Sequence, residues 1–469
     1  MEERDVVIVG GGPAGYVAAI RVSQLGGKAT LIENNTIGGT CLNRGCIPTR
    51  ALVRGVEFID LAKSAKDYGV SYKESEIDFS KMMTRKDIIV KTIVSGVKML
   101  LDGNGVEVVD GTGKFLSPSQ LEVQLGDGTK KEITAHRIII ATGSRYKKVS
   151  VPGGEGKKVI NTTEALELKE IPKSMLIIGG GFVGISFATI FSRLGTSVTI
   201  VEQSPRILPE IDSEIVSIFE KELKKENIQT YTEAQVRRID DGEQGKMNIA
   251  LTVKGEETNL TAEYILTAGE REANADGLGL DKVKVELNDK GGITVNKQME
   301  TNVPTILAAG DVTMEHMWTH VAYAEGIVAA ENAMGKSSEI DYTVIPYWAN
   351  TFPGISGVGI TEEEATTRGY QVRVGRFPFA GNGMATILGQ RTGMIKVITE
   401  EKYGQILGVH IIGPQASNLI PEAALAMKLD ATPEDISLTM HGHPTLSEAF
   451  WEAAKDVSGE TIHFISQKR

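Results

Sequence analysis

Cys41 and Cys46 are the only cysteines in 469 residues, and they stand close together in Gly38-Gly39-Thr40-Cys41-Leu42-Asn43-Arg44-Gly45-Cys46-Ile47-Pro48-Thr49-Arg50. Two thiols so placed can exchange a bond, share a metal, or be buried for unrelated reasons. Zinc normally takes four ligands, and neither a third cysteine nor a histidine lies nearby in the sequence, so no metal site is expected. Chance burial does not account for the pairing of the only two thiols at a predicted helix start beside a glycine-rich turn. A helix N-terminus favours the thiolate, which is the reactive form in thiol–disulfide exchange. The pair therefore points to redox chemistry.

Two other stretches have the composition to hold phosphates, Gly10-Gly11-Gly12-Pro13-Ala14-Gly15 and Gly179-Gly180-Gly181-Phe182-Val183-Gly184. Each follows a short apolar run (Asp5 to Val9, Met175 to Ile178), opens an apolar helix, and leads to a second run ending in an acid. Glu33 follows Gly10 at the same distance as Glu202 follows Gly179. Gly10 and Gly179 permit the tight turn, Gly12 and Gly181 let a pyrophosphate approach the backbone, and Gly15 and Gly184 let helix and strand pack closely. The helix N-terminus offers free N–H groups to the phosphates. Glu33 and Glu202 are placed to accept from ribose hydroxyls, and a carboxylate at Glu202 repels a 2′-phosphate, which favours NAD over NADP. One such fingerprint is weak; two in register predict two dinucleotide sites.

Around these motifs the chain reads as a repeat. Leu121 to Leu125, the turn Gly126-Asp127-Gly128 and a following strand lead to Ile138 through Gly143. Met247 to Val253, a Lys254-Gly255 turn and Tyr264 to Leu266 lead to Thr267-Ala268-Gly269. Thr305 to Ala309, ending at Gly310-Asp311, would return the chain to the first unit. Beyond about residue 346 strands near 393–398 and 406–412 are followed by helices, without nucleotide signals. The expected fold class is α/β, with two Rossmann-type dinucleotide-binding domains and an α+β C-terminal domain. The expected division is 1–148 and 276–345 for the first unit, 149–275 for the second, and 346–469 for the third, in keeping with a prior of about one domain per 150 residues.

Hydrophobic residues make up 41% and charged residues 24%, and 61 acids against 50 bases give a net charge of −11. That balance excludes a disordered chain and disfavours nucleic acid or a membrane as partner. The start, Met1-Glu2-Glu3-Arg4-Asp5 running straight into Val6, lacks the pattern of a secretory signal, so a reducing, cytoplasmic location is expected. His316 and His320 are spaced as two ligands on one helical face, but no third ligand is evident and a capping or packing role is expected of them. His136, His410 and His463 read as surface or packing residues, and Trp318, Trp348 and Trp451 as packing residues.

Taken together, the first glycine motif, Gly39-Thr40-Cys41-Leu42-Asn43 to Cys46-Ile47-Pro48, Ala141-Thr142-Gly143-Ser144, the second glycine motif, Gly310-Asp311, Ile345-Pro346 and His441-Gly442-His443-Pro444-Thr445-Leu446-Ser447-Glu448 resemble the flavin-dependent pyridine nucleotide-disulfide oxidoreductases, most closely the members that oxidise dihydrolipoyl groups. The resemblance runs nearly end to end. It implies FAD in the first unit, held by Gly10, Gly12, Gly15, Glu33, Gly39, Thr40, Arg50, Gly113, Thr142, Gly143 and Asp311, with Met317 to His320 near the flavin. It implies NAD in the second, on Gly179, Gly181, Gly184, Glu202 and Gly269. Cys46 is then the flavin-proximal sulfur, Cys41 the interchange thiol, and His443 the base, oriented by Glu448 and supplied by the opposite subunit of a homodimer. A histidine paired with a carboxylate suits that task. The implied partner is a lipoylated carrier protein.

The chain departs from the family on the nicotinamide side. Thr49-Arg50 stands where members usually read Ser-Lys, and Ser186 where they carry the glutamate that pairs with that lysine. Arg50 keeps a positive charge, but a planar guanidinium is not equivalent to an ammonium. Glu270-Arg271-Glu272-Ala273-Asn274 replaces a Gly-Arg-x-Pro-Asn pattern, which puts an acid near the expected pyrophosphate. Gly354 replaces a common glutamate. Two readings follow: an enzyme passing electrons from dihydrolipoyl groups to NAD or the reverse, and a lipoyl-protein redox partner of the same fold with altered or lost NAD reactivity. Relatives acting on glutathione or mercuric ion generally use NADPH, against Glu202.

Overall fold

The computed structural model describes residues 3–71, 76–147 and 149–465. The run from Val6 to Val9 is buried, as in a strand covered on both faces. The strand it belongs to, Glu3–Val9, pairs in parallel with Ala29–Glu33 on one side and Lys130–Ile140 on the other. Ala29–Glu33 carries Glu107–Ser117 at its far edge. The long strand Lys130–Ile140 is shared: its first half pairs antiparallel with Gln120–Leu125 and its second half with Glu3–Val9. The hairpin insertion of the first unit is therefore continuous with its main sheet. Ile306–Ala308 lies parallel to Ile138–Ile140, which brings the chain back to its first sheet. Helices Pro13–Gln24 and Thr319–Ala333 pack against each other across this unit.

The second unit repeats the plan with five parallel strands, in the order Gln229–Tyr231, Ser197–Val201, Ser174–Ile178, Tyr264–Thr267, Val159–Asn161. Its antiparallel insertion forms a separate three-stranded sheet, Ala234–Asp241, Met247–Val253 and Glu256–Ala262. A short antiparallel pair, Ser144–Tyr146 with Arg271–Ala273, bridges the two units.

The third unit is one antiparallel sheet, Tyr347–Ala349, Gly354–Gly359, Ile406–Gly413, Met394–Glu400 and Val372–Pro378 in spatial order. Helices Ala416–Lys428 and Glu448–Asp456 cover it over a core that includes Phe377, Phe379, Val397 and Phe450. Mixed layers of this kind make the α+β class. Its contact with the second unit combines an apolar cluster, in which Ile355, Met394 and Ile412 join Phe187 and Phe219, with a charged one. Lys396, 2% exposed, reaches Asp212, which is fully buried, at 2.9 Å, Glu214 at 3.1 Å and Glu362 at 2.7 Å. Arg376 adds a second cation against Glu214 and Glu362. Beside it His410, fully buried, bonds Tyr347 Oη and Ile360 O. Among the described residues no helix is long and apolar enough to cross a membrane.

Candidate redox and dinucleotide site

The two glycine turns are superimposable in their constraints. Gly10 and Gly179 both have φ of 107°, a region that favours glycine. A Cβ on Gly15 would lie 1.7 Å from Gly10 O, and one on Gly184 1.9 Å from Gly179 O. The helices that follow, Pro13–Gln24 and Phe182–Arg193, start at Gly12 and Gly181 with no side-chain cap and no acid in the first turn. Their first N–H groups thus have no capping side chain within the helix. Cβ positions at Gly143, Gly181 and Gly269 meet nothing within 4 Å, and at Gly12 only the Gly39 Cα, at 3.9 Å. These residues form open backbone cradles into which a pyrophosphate fits. Gly113 differs, because its Cβ position is closed by Val9 and Ile32 at ordinary contact distance.

The acids that end the second strands act first on the turns themselves. Glu33 accepts from Gly11 N at 2.6 Å and Asn35 N at 2.8 Å. Glu202 accepts from Gly180 N at 2.7 Å and Ser204 N at 2.8 Å. Each carboxylate oxygen retains a second lone pair for a ribose hydroxyl. The sequence reading missed this stapling of the glycine loops, although the shared Gly-to-Glu spacing carries it.

The cysteine segment is fastened to the first turn. Gly38 N donates to Gly11 O at 2.8 Å, and a Cβ on Gly39 would come within 2.7 Å of the Gly12 Cα. Thr40 and Cys41 follow in the short helix Gly39–Arg44, and Cys46 is the first residue of helix Cys46–Ser64, whose N-terminus has no side-chain cap. Both thiols are free, Cys41 buried and Cys46 exposed. A hydrogen bond from Cys41 holds the Cys46 thiol below the usual thiol range, with desolvation by its neighbours opposing and Thr319 assisting. The same bond, together with burial, pushes the Cys41 thiol up. One sulfur of the pair is thus biased to the thiolate and the other to the thiol.

Around this pair the chain assembles residues far apart in sequence. Thr319 Oγ1 lies 3.3 Å from Cys46 Sγ. Asp311 accepts from Ser144 Oγ at 2.7 Å, and Thr142 Oγ1 donates to Asn274 O at 2.7 Å. Glu325, fully buried, accepts from Gly310 N and from Tyr342 Oη, both at 2.6 Å, and so fixes the turn that carries Asp311. Met317 is exposed. His316 and His320 do not share a helical face as their spacing suggested: the helix begins only at Thr319, and His316 packs on Tyr342. His320 stacks on Trp348 at 5.3 Å, and its Nε2 is a buried nitrogen with no hydrogen-bond partner, as a residue beside a cofactor ring would be. Trp318 packs edge-on against Phe182, the residue after Gly181, at 5.1 Å.

The residues that depart from the family pattern are partnered. Arg50 Nη1 donates to Asn350 Oδ1 at 2.9 Å, while Asn350 N donates to Ser186 Oγ at 3.2 Å and Ser186 Oγ to Phe182 O at 2.7 Å. Glu270, expected to repel a pyrophosphate, pairs with Lys147 at 2.9 Å and is largely solvated. That pairing and exposure weaken its field at the Gly269 cradle.

His443 and Glu448 stand in the third unit. His443 Nδ1 bonds Glu448 Oε1 at 2.9 Å, and Thr445 N donates to Glu448 Oε2 at 2.8 Å. Burial raises the Glu448 carboxyl, but the Thr445 N–H and the His443 ring outweigh it and hold it below the usual carboxylate range. The imidazole is 77% exposed, so Nε2 is presented to solvent, and no described hydrogen bond links it to either cysteine of its own chain.

A family model described as pyridine nucleotide-disulphide oxidoreductase matches residues 4–326, and one described as the dimerisation domain of those proteins matches residues 345–454. The mitochondrial dihydrolipoyl dehydrogenase of Pisum sativum is 40% identical over 467 residues, covering 98% of this chain and 93% of that protein. The dihydrolipoyl dehydrogenase of Bacillus subtilis is 39% identical over 465 residues, covering 99% and 98%. Among solved structures, a Cu(II) complex of the HOCl-induced flavoprotein disulfide reductase RclA from Escherichia coli superposes with a TM-score of 0.88 at 27% identity, covering 97% of this chain and 99% of that one.

Proposed function

The chain belongs to the pyridine nucleotide-disulphide oxidoreductase family, and on that premise we propose that it is a dihydrolipoyl dehydrogenase that oxidises protein-bound dihydrolipoyl groups with FAD and NAD. The observation that carries this reading is the Cys41–Cys46 pair itself, set at an uncapped helix start and fastened to the first glycine cradle.

FAD belongs to the unit formed by 1–148 and 276–345, on Gly10, Gly12, Gly15, Glu33, Gly39, Thr40, Arg50, Thr142, Gly143 and Asp311, with Gly113, Met317 and His320 alongside. NAD belongs to 149–275, on Gly179, Gly181, Gly184, Glu202 and Gly269. FAD held there would supply the two-electron redox chemistry that links the thiol pair to NAD. The residues of the chain do the rest. In the oxidised pair a substrate thiolate attacks Cys41 Sγ, and Cys46 leaves as the thiolate that its surroundings favour. The second substrate sulfur then attacks the first, closing the lipoyl disulfide and releasing Cys41. Cys41 is 8% exposed, which admits only a slender arm such as a dihydrolipoyl group. The open face of Cys46 is the one a flavin would cover.

His443 serves as the base, with Nε2 taking the proton of the substrate thiol while Glu448 fixes Nδ1 as donor. Since the ring is exposed and no described hydrogen bond ties it to its own chain's cysteines, it serves the partner subunit of a homodimer formed through the third unit. Leu425, Leu429, Leu438 and Met440, all strongly exposed near this edge, supply apolar surface for that contact. The physiological partner is a lipoylated carrier protein in the cytoplasm.

The reading is tested by mixing FAD-loaded protein with dihydrolipoamide and NAD: rapid NADH formation supports it. Thiol-dependent flavin reduction with no NADH would favour the redox partner lacking NAD reactivity, for which the pairing of Arg50 with Asn350 and of Glu270 with Lys147 offers no support.

A further inference from the structure

Thr319 is the first residue of helix Thr319–Ala333. Threonine inside a helix commonly returns its hydroxyl to a carbonyl of the preceding turn, but at the first position no such helical carbonyl exists. Its hydroxyl faces sulfur instead, with Oγ1 3.3 Å from Cys46 Sγ, across 273 positions of sequence. The neighbouring residues limit its freedom. Trp318 is held against Phe182 and near Trp348, and His320 is stacked on Trp348. The N-termini of two helices, at Cys46 and at Thr319, therefore converge on one sulfur. Once that sulfur is a thiolate it can only accept, so the hydroxyl must be the donor.

We propose that Thr319 is a positioning residue for the redox reaction: its hydroxyl donates to Cys46 Sγ, stabilising that sulfur as the thiolate and holding it in place for the flavin. This rests on the redox reading of the pair given above. A hydrogen bond to a charged group is among the stronger ones, and one formed only with the thiolate lowers the thiol's proton affinity. The Cys46 thiol is held down by Cys41 foremost, with Thr319 contributing.

The test uses two-electron-reduced, FAD-loaded protein as wild type, Thr319→Val and Thr319→Ser. The long-wavelength thiolate–flavin absorbance, which reports the Cys46 thiolate alone, is followed against pH. Valine keeps the shape and removes the donor, while serine keeps the donor. In Thr319→Val the pH midpoint of that band should rise by about one unit, equivalent to about 1.4 kcal/mol, and Thr319→Ser should stay near wild type. A wild-type midpoint in Thr319→Val, or an equal rise in Thr319→Ser, would overturn the proposal while leaving the redox reading intact. Absence of the long-wavelength band in wild type at every pH would instead overturn the redox reading itself.

Discussion

Arg50 donates from Nη1 to the side-chain oxygen of Asn350 at 2.9 Å, and this contact joins the cysteine helix to the chain entering the third unit. Asn350 also donates its backbone N–H to Ser186, on helix Phe182–Arg193 of the second unit. A neutral relay thus spans the two dinucleotide units at the place where the resemblance implies a lysine–glutamate ion pair. Loss of the carboxylate at Ser186 has not left Arg50 without a partner.

Asn350→Ala should release Arg50 without touching the thiols. The expected result is an NADH-to-flavin transfer slowed by about tenfold, the scale of one hydrogen bond to a charged group, with reduction by dihydrolipoamide unchanged. Stopped-flow measurement of the two half-reactions separates them. Equal slowing of both would show that the relay is merely structural.

His443→Gln should lower the rate of dihydrolipoamide oxidation by about a hundredfold or more, the usual contribution of a general base. Glu448→Gln should be milder and should shift the acid limb of the pH–rate profile, because it removes the carboxylate that steadies the imidazolium. Transfer between NADH and flavin, read by rapid mixing, should survive both changes.

Glu325 makes a stability prediction. Burial pushes its carboxyl up to about 7, against the hydrogen bonds from Tyr342 and Gly310. A carboxyl whose folded pKa is raised adds stability below its unfolded value, and that stability is lost as pH rises through about 7. Thermal melts of wild type and Glu325→Gln should therefore converge or cross between about pH 5 and pH 7, wild type losing ground as pH rises. Parallel melting curves would contradict the shift.

Lys396→Met should leave Asp212 as an uncompensated buried charge, at a cost of about 3–5 kcal/mol. Denaturant unfolding should show it, and pairing the change with Asp212→Asn should recover part of the loss. No recovery in the double variant would mean that the charge pair itself is not the source.

What could be read in the sequence was whatever repeats or lies close by. The two glycine turns, their acids, the neighbouring cysteines and the His443–Glu448 pair each sit within a few residues or recur in register. The contacts that tune the site do not: Thr319 with Cys46, Arg50 with Asn350, Lys147 with Glu270 and Lys396 with Asp212 join residues 123 to 300 positions apart. No period or local propensity encodes such pairs, because they arise when separate units pack. The repulsion expected of Glu270 ignored Lys147 for that reason, and the shared face expected of His316 and His320 assumed a helix that starts only at Thr319.

The central claim is that Cys46, not Cys41, is the thiolate beside the flavin. Absorbance spectra of FAD-loaded Cys41→Ser and Cys46→Ser test it most directly. The account predicts a long-wavelength thiolate–flavin band in Cys41→Ser without any added reductant, and none in Cys46→Ser although FAD remains bound. A band in Cys46→Ser, absent from Cys41→Ser, would contradict it.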